Sequence, residues 1–147
     1  MIVLDTNVLS ELVKPAPAPQ VVRWADDQDS TDLWITSITT AELRAGVAVL
    51  PRGRRKDTIA RQIEHLINDV FGGYVLPFDA ASSIHYGDIV AAGRRRGRPM
   101  SALDAQIAAI CRQHDASLAT RNVADFTIAK LAVIDPWTQA GSGRRGQ

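Results

Sequence analysis

Short apolar runs alternate with helix-spaced stretches along almost the whole chain, and this order constrains the fold more than any other feature. Met1-Ile2-Val3-Leu4 is an unbroken apolar run, as expected of a central strand buried on both faces. Residues 33–36, 74–78, 117–120 and 131–134 read as four further strands. After the first strand, Val8, Leu9, Leu12 and Val13 keep helical spacing as far as Pro15, and Val21, Val22, Trp24 and Ala25 suggest a second short helix. Pro15 to Pro19 reads as an extended spacer and residues 26–32 as an acidic loop. Longer helices are predicted over residues 42–50, closed by Pro51, and 57–70, stopped by Gly72-Gly73. Two more are predicted over residues 80–96 and 103–113. Such an order calls for an α/β fold, an open parallel sheet with helices on both faces.

The apolar run at the start ends in Asp5, where an open parallel sheet places its ligand crevice. Three more acidic motifs fall at comparable junctions. Thr39-Thr40-Ala41-Glu42 and Ser101-Ala102-Leu103-Asp104 each open a helical stretch, and Asn122 and Asp125 follow the fourth strand. Each has a plainer explanation. Asp5 suits a helix N-cap, and Thr39-x-x-Glu42 and Ser101-x-x-Asp104 both match the capping box. Asn122 suits the cap of a short turn, and Asp125 a turn residue. The two kinds of role occupy the same places. Three carboxylates brought to one sheet edge would repel, and each would be pushed toward protonation without a cation. Oxygen ligands without His or Cys point to Mg²⁺, with Mn²⁺ as the other choice.

Composition narrows the remaining classes. The 147 residues, 46 % hydrophobic and 22 % charged, suit one domain over residues 1–137, with residues 138–147 expected to form a disordered tail. No apolar run approaches the roughly 20 residues that span a bilayer, and no secretory leader is recognisable, so a cytoplasmic location with no membrane contact is expected. Cys111 stands alone, which excludes an intrachain disulfide or a thiolate cage. His65, His85 and His114 have no ligand spacing. Setting aside Arg144 and Arg145 leaves 15 of the 17 basic residues against 16 acidic ones, net −1 over residues 1–137. Bulk charge therefore gives no case for nucleic-acid binding. Arg52, Arg54, Arg55 and Lys56, and again Arg94, Arg95, Arg96 and Arg98, form basic clusters that suit either an RNA backbone or a solvated helix end.

The motifs 2–11 (Ile-Val-Leu-Asp-Thr-Asn-Val-Leu-Ser-Glu), 40–46, 102–109 and 118–126, in this order and at these separations, resemble those of PIN-domain ribonucleases. The likeness is to the VapC toxins of toxin–antitoxin pairs, in their FitB-like branch, and extends from Met1 to about Trp137. It implies a three-layer α/β/α domain with a five-stranded parallel sheet in the order 3-2-1-4-5. It also implies a metal-dependent endoribonuclease with Asp5, Glu42 and Asp104 as the first three acidic positions. Asn122 stands where relatives of this branch often carry Asp, and Asp125 follows one short turn later. On this reading Asp5, Glu42, Asp104, Asn122 and Asp125 are the catalytic set, with the first three holding Mg²⁺ or Mn²⁺. Thr6 and Thr120, as substrate-binding residues, would contact phosphate or the ligand carboxylates, and Arg121 would contact substrate. The resemblance further implies an RNA substrate, a VapB-like antitoxin, a homodimer and a toxin–antitoxin hetero-oligomer. A non-catalytic partner- or RNA-binding module and a DNA-directed nuclease are the alternatives. A haloacid-type phosphatase would need an acidic residue where Asn7 stands.

Overall fold

The computed structural model describes residues 1–139, so most of the expected tail lies outside the described residues. Five short strands form one sheet in the order β3-β2-β1-β4-β5, with every neighbouring pair parallel. They are β1 (Ile2–Leu4), β2 (Leu33–Thr36), β3 (Val75–Leu76), β4 (Ser117–Ala119) and β5 (Val133–Ile134). Six α-helices accompany them among the described residues: α1 (Thr6–Leu12), α2 (Pro19–Asp26), α3 (Ser37–Ala48), α4 (Arg54–His65), α5 (Ala80–Arg95) and α6 (Ala102–Gln113).

β1 shows why the sheet is central. Val3 and Leu4 are both fully buried, yet they belong to different core clusters, because successive strand residues point to opposite faces. Val3 packs with Leu118, Ile89 of α5 and Ile107 and Ile110 of α6. Leu4 packs with Val8 and Leu9 of α1, Val21 and Trp24 of α2, and Ile63 of α4. Each such side chain contributes roughly 1.5–3 kcal/mol by leaving water. Two helical layers therefore sandwich the sheet.

The boundaries correct several expectations. α3 begins at Ser37, capped by the Thr36 hydroxyl, which accepts from Thr39 N at 3.2 Å. Thr39-x-x-Glu42 is therefore no capping box, and Glu42 lies in the second turn. Ser101 does cap α6, accepting from Asp104 N at 3.2 Å. Among the described residues a reciprocal capping box forms instead at Asp79 and Ser82, at the start of α5. α4 starts at Arg54 and its helical run ends in a π-type turn, where Phe71 N donates to Leu66 O at 2.9 Å. The turn after β4 is a 3₁₀ helix over Val123–Ala129.

Two glycines shape the loop from α5 to α6. Gly97 has φ +66°, the left-handed turn that ends the α5 segment. Gly93 lies so near the returning chain that a Cβ there would stand 2.9 Å from Arg98 O. Arg98 N in turn donates to Gly93 O at 2.9 Å. This contact seats residues 98–101 at the start of α6.

Because all strands are parallel, their carboxyl ends share one edge. From β1 the chain proceeds outward through β2 and β3, then crosses to β4 and β5 on the other side. The β1/β4 seam is thus the topological switch point, where open α/β sheets form a crevice.

Candidate active site

At that seam lies a cleft of about 430 Å³ lined by Asp5, Thr6, Glu42, Asp104, Arg121 and Asn122, six of the eight residues expected from the sequence. Asp5 comes from the end of β1, Glu42 from α3, Asp104 from the first turn of α6, and Arg121 and Asn122 from the loop after β4. Asp125 lies just outside. It lines an adjoining hollow of about 420 Å³ that shares Asp104 with the cleft and also contains Arg98. A larger cavity of about 700 Å³ opens between the end of α1 and α4, but no carboxylate lines it.

Of the two contacts expected of Thr120, the structure shows the one with a ligand carboxylate. Thr120 is fully buried, so its hydroxyl cannot meet substrate. It donates to Asp5 Oδ2 at 2.7 Å and accepts from Asn7 Nδ2 at 3.2 Å and Asn122 N at 3.1 Å. One donated and two accepted bonds exhaust a hydroxyl. Thr120 acts on Asp5, not on a phosphate. Thr6 does line the cleft, and its hydroxyl donates to Glu42 Oε1 at 2.9 Å. Thr39 Oγ1 lies 3.1 Å from Thr6 Oγ1, and with the Thr6 proton directed at Glu42, Thr39 is the donor of that pair.

Asp5 does combine its two possible roles. Its Oδ1 accepts from Thr6 N at 2.8 Å, which caps α1, while the carboxylate faces the cleft. Only 4 % of Asp5 is exposed. Burial pushes its carboxyl above the ordinary value, against the bonds from Thr120 and Thr6, and Asp125 adds like-charge repulsion. Glu42 is also raised, first by burial and then by Asp5 and Asp104, with the Thr6 bond opposing. Asp104 is raised by burial, then by Asp5 and Asp125, with Ser101 opposing. Asp5, Glu42, Asp104 and Asp125 thus form one repelling set.

This set fits a hard divalent cation. Its donors are carboxylate oxygens, and a cation would relieve the repulsion that raises them. Among the described residues no three acidic, His or Cys side chains stand close enough to enclose an ion. Mg²⁺ commonly takes one or two carboxylates and fills its octahedron with water and substrate phosphate.

Asn7 and Glu11, inside the first motif, and Trp137, where the resemblance ends, also line the cleft. Asn7 bridges three segments, since Nδ2 also lies 3.4 Å from Asp5 Oδ2 and Oδ1 accepts from Arg121 N at 3.2 Å. Glu11 accepts from Ala18 N at 3.0 Å and pairs with Lys14, closing one wall. Trp137 forms another wall, with Arg121 Cζ 4.9 Å from its ring centroid. Past Glu11 the run to Lys14 reads as amphipathic helix, and Trp137 follows a β5 too short to announce what comes next.

Residues 2–131 match the family described as the PIN domain. The chain is similar to toxin FitB of Neisseria gonorrhoeae, 40 % identical over 137 residues, 93 % of this chain and 99 % of that protein. It is 40 % identical over 140 residues to VapC ribonuclease Y4jK of Sinorhizobium fredii, 95 % of this chain and 100 % of the relative. Its fold superposes on the crystal structure of FitAcB from Neisseria gonorrhoeae with a TM-score of 0.89 and 40 % identity, over 95 % of this chain and 100 % of that one.

Proposed function

The chain belongs to the PIN-domain family, and from that premise we propose that it is the toxin of a type II toxin–antitoxin pair, a Mg²⁺-dependent endoribonuclease that hydrolyses RNA phosphodiester bonds. The observation that carries this reading is the gathering of Asp5, Glu42, Asp104 and Asp125 about the β1/β4 switch point, where burial and like charge raise the first three and the Thr120 and Thr6 hydroxyls donate to Asp5 and Glu42. The likeness to a protein named a toxin and another named a VapC ribonuclease supports it.

Asp5 and Asp104 are the residues that would hold Mg²⁺ or Mn²⁺, with Glu42 reaching the ion directly or through water. A divalent cation bound there supplies positive charge to the scissile phosphate and lowers the pKa of a water. The protein's own groups set the stage. Thr120 and Asn7 orient the Asp5 carboxylate, and Thr6 orients that of Glu42. Asn122 offers a neutral carbonyl within the cleft, and Asp125 contributes negative charge from beside Asp104. Arg121 lies on the lip, where it can meet the substrate. The clusters at Arg52–Lys56 and Arg94–Arg98 would follow the RNA backbone without reading sequence.

A VapB-like antitoxin would occupy the acidic groove with a basic side chain, in a toxin–antitoxin hetero-oligomer built on a toxin homodimer. No helix among the described residues is long and apolar enough to cross a membrane. The cytoplasm, where RNA is the substrate, is the proposed site of action.

The test is cleavage of a pool of cellular RNA by antitoxin-free protein with Mg²⁺, Mn²⁺ or EDTA, alongside folded Asp5→Asn and Asp104→Asn proteins. Cleavage that requires both the metal and the carboxylates supports the assignment. Matched RNA and DNA competitors identify the nucleic acid. Asn122, neutral where a fourth carboxylate would serve, favours a binding module as the second reading, and metal-dependent cleavage by the wild type would reject it.

A further inference from the structure

Trp137 is the one aromatic side chain lining the acidic cleft, and binding a phosphate to carboxylate-held metal has no use for an indole. Its position is built. Trp137 N donates to Asp135 Oδ1 at 2.9 Å, Pro136 is buried behind it, and part of the ring packs on the core under α1 and α2. Arg121 lies over that ring at 4.9 Å, within the range of cation–π attraction. Its backbone is fixed by Asn7, and among the described residues it forms no salt bridge, although four carboxylates line the same cleft. Lys14, the other cation of the cleft, is taken by Glu11.

We infer that Arg121 and Trp137 form a nucleobase-stacking platform, which receives the base of an unpaired nucleotide beside the phosphate held at Asp5 and Asp104. The inference rests on the nuclease reading and deepens it. Guanidinium planes and indole rings both stack on bases, and every base offers a π-face, so the platform selects unpaired strand over duplex more than one sequence over another. Single-stranded RNA, or the loop of a folded RNA, is the substrate class. The platform also divides the labour of the arginines. Arg98, in the adjoining hollow beside Asp104 and Asp125, has no aromatic neighbour among that hollow's lining residues and suits a phosphate.

The experiment titrates the full chain, with Ca²⁺ replacing Mg²⁺, against three end-labelled oligonucleotides: a short single-stranded RNA, an abasic strand of equal charge, and a blunt RNA duplex. Anisotropy gives affinity, indole emission reports the ring, and a gel confirms that each strand stays intact. Stacking is worth about five- to a hundredfold in affinity per base, so the abasic strand and the duplex should bind at least about fivefold more weakly. The single strand should change indole emission, and Trp137→Phe should abolish that change. Arg121→Lys keeps the charge and loses the plane, so it should weaken the RNA strand and leave the abasic strand unaltered. Equal binding of RNA and abasic strands, an emission change that survives Trp137→Phe, or no binding of any strand would overturn the platform. The nuclease reading fails separately. Base-dependent binding without cleavage in Mg²⁺ or Mn²⁺ removes the nuclease and keeps the platform, and cleavage with base-independent binding does the reverse.

Discussion

The Thr120 hydroxyl donates to Asp5 Oδ2 at 2.7 Å across 115 residues of sequence, while Asp5 N donates to Ala119 O at 2.9 Å. The carboxylate of β1 is thereby aimed by the end of β4. With Thr6 N alone on the other oxygen, Oδ1 keeps a lone pair for a cation, while Oδ2 takes both Thr120 and Asn7. Asp5→Asn and Asp104→Asn are expected to lower Mg²⁺-dependent cleavage at least about a hundredfold with the circular dichroism unchanged. Thr120→Val, which leaves Asp5 its position but not its aim, should cost about tenfold. Initial rates over a Mg²⁺ titration check all three.

The raised carboxyls give stability a definite pH dependence. In Asp5, Glu42 and Asp104 the folded state keeps protons that the unfolded chain releases. Their favourable contribution is complete below the ordinary carboxylate pKa and is lost as pH rises through the folded-state values. In EDTA, wild-type protein should therefore lose melting temperature relative to Asp5→Asn from mildly acidic to neutral pH. Mg²⁺ should narrow the difference. A gap that stays constant with pH would show that the carboxylates do not strain the fold.

Asn122 lines the cleft and Asp125 stands outside it, so their substitutions should differ in kind. Asn122→Asp is expected to lower the Mg²⁺ needed for half-maximal rate by about fivefold, the worth of one added charge close by in water. Asp125→Asn should weaken cleavage by about tenfold, less than Asp5→Asn, because it acts on Asp104 and Asp5 from a distance. Metal titrations of the two variants separate these effects.

Asn7 joins Asp5, Thr120 and the Arg121 backbone through one amide. Asn7→Ala should cost about 1–2 kcal/mol in urea denaturation, by the loss of partly buried hydrogen bonds. Its cleavage rate should fall further than that instability explains, since both metal ligand and platform lose alignment. A rate equal to wild type would make the amide merely structural.

The sheet was legible because strand periodicity is local. Met1-Ile2-Val3-Leu4 needs no partner to announce a strand buried on both faces, and Asp5 after it marks the edge. Glu42 was legible as a site residue and misread as a cap. β2 passes into α3 with no loop, so Thr36 ends the strand and caps the helix at once, and the pattern three residues later is coincidental. For Thr120, phosphate and carboxylate stayed equally open because sequence cannot show that Asn7, 113 positions away, closes over it. Glu11 closes the first motif and Trp137 the stretch of resemblance, but neither announces a place in the cleft. Their place in the cleft depends on where β5 and α1 end relative to β4, a relation no local pattern encodes.

Cys111 offers an internal clock for the same fold. Fully buried in α6, its thiol is pushed up to about 12, mainly by desolvation. It should resist maleimide at mildly alkaline pH in native protein and react at the rate of global opening. Mass spectrometry over a urea series checks this, and rapid native labelling would mean that α6 opens alone.

The missing methyl at Gly93 has a reach beyond its own helix. Arg98 O lies where a Cβ would intrude, and three residues further on Ser101 starts the helix that carries Asp104. The gap between α5 and the returning chain therefore works as a caliper for the acidic cleft. A change of one carbon, on a residue that lines neither hollow, must displace the segment that leads into the helix of Asp104.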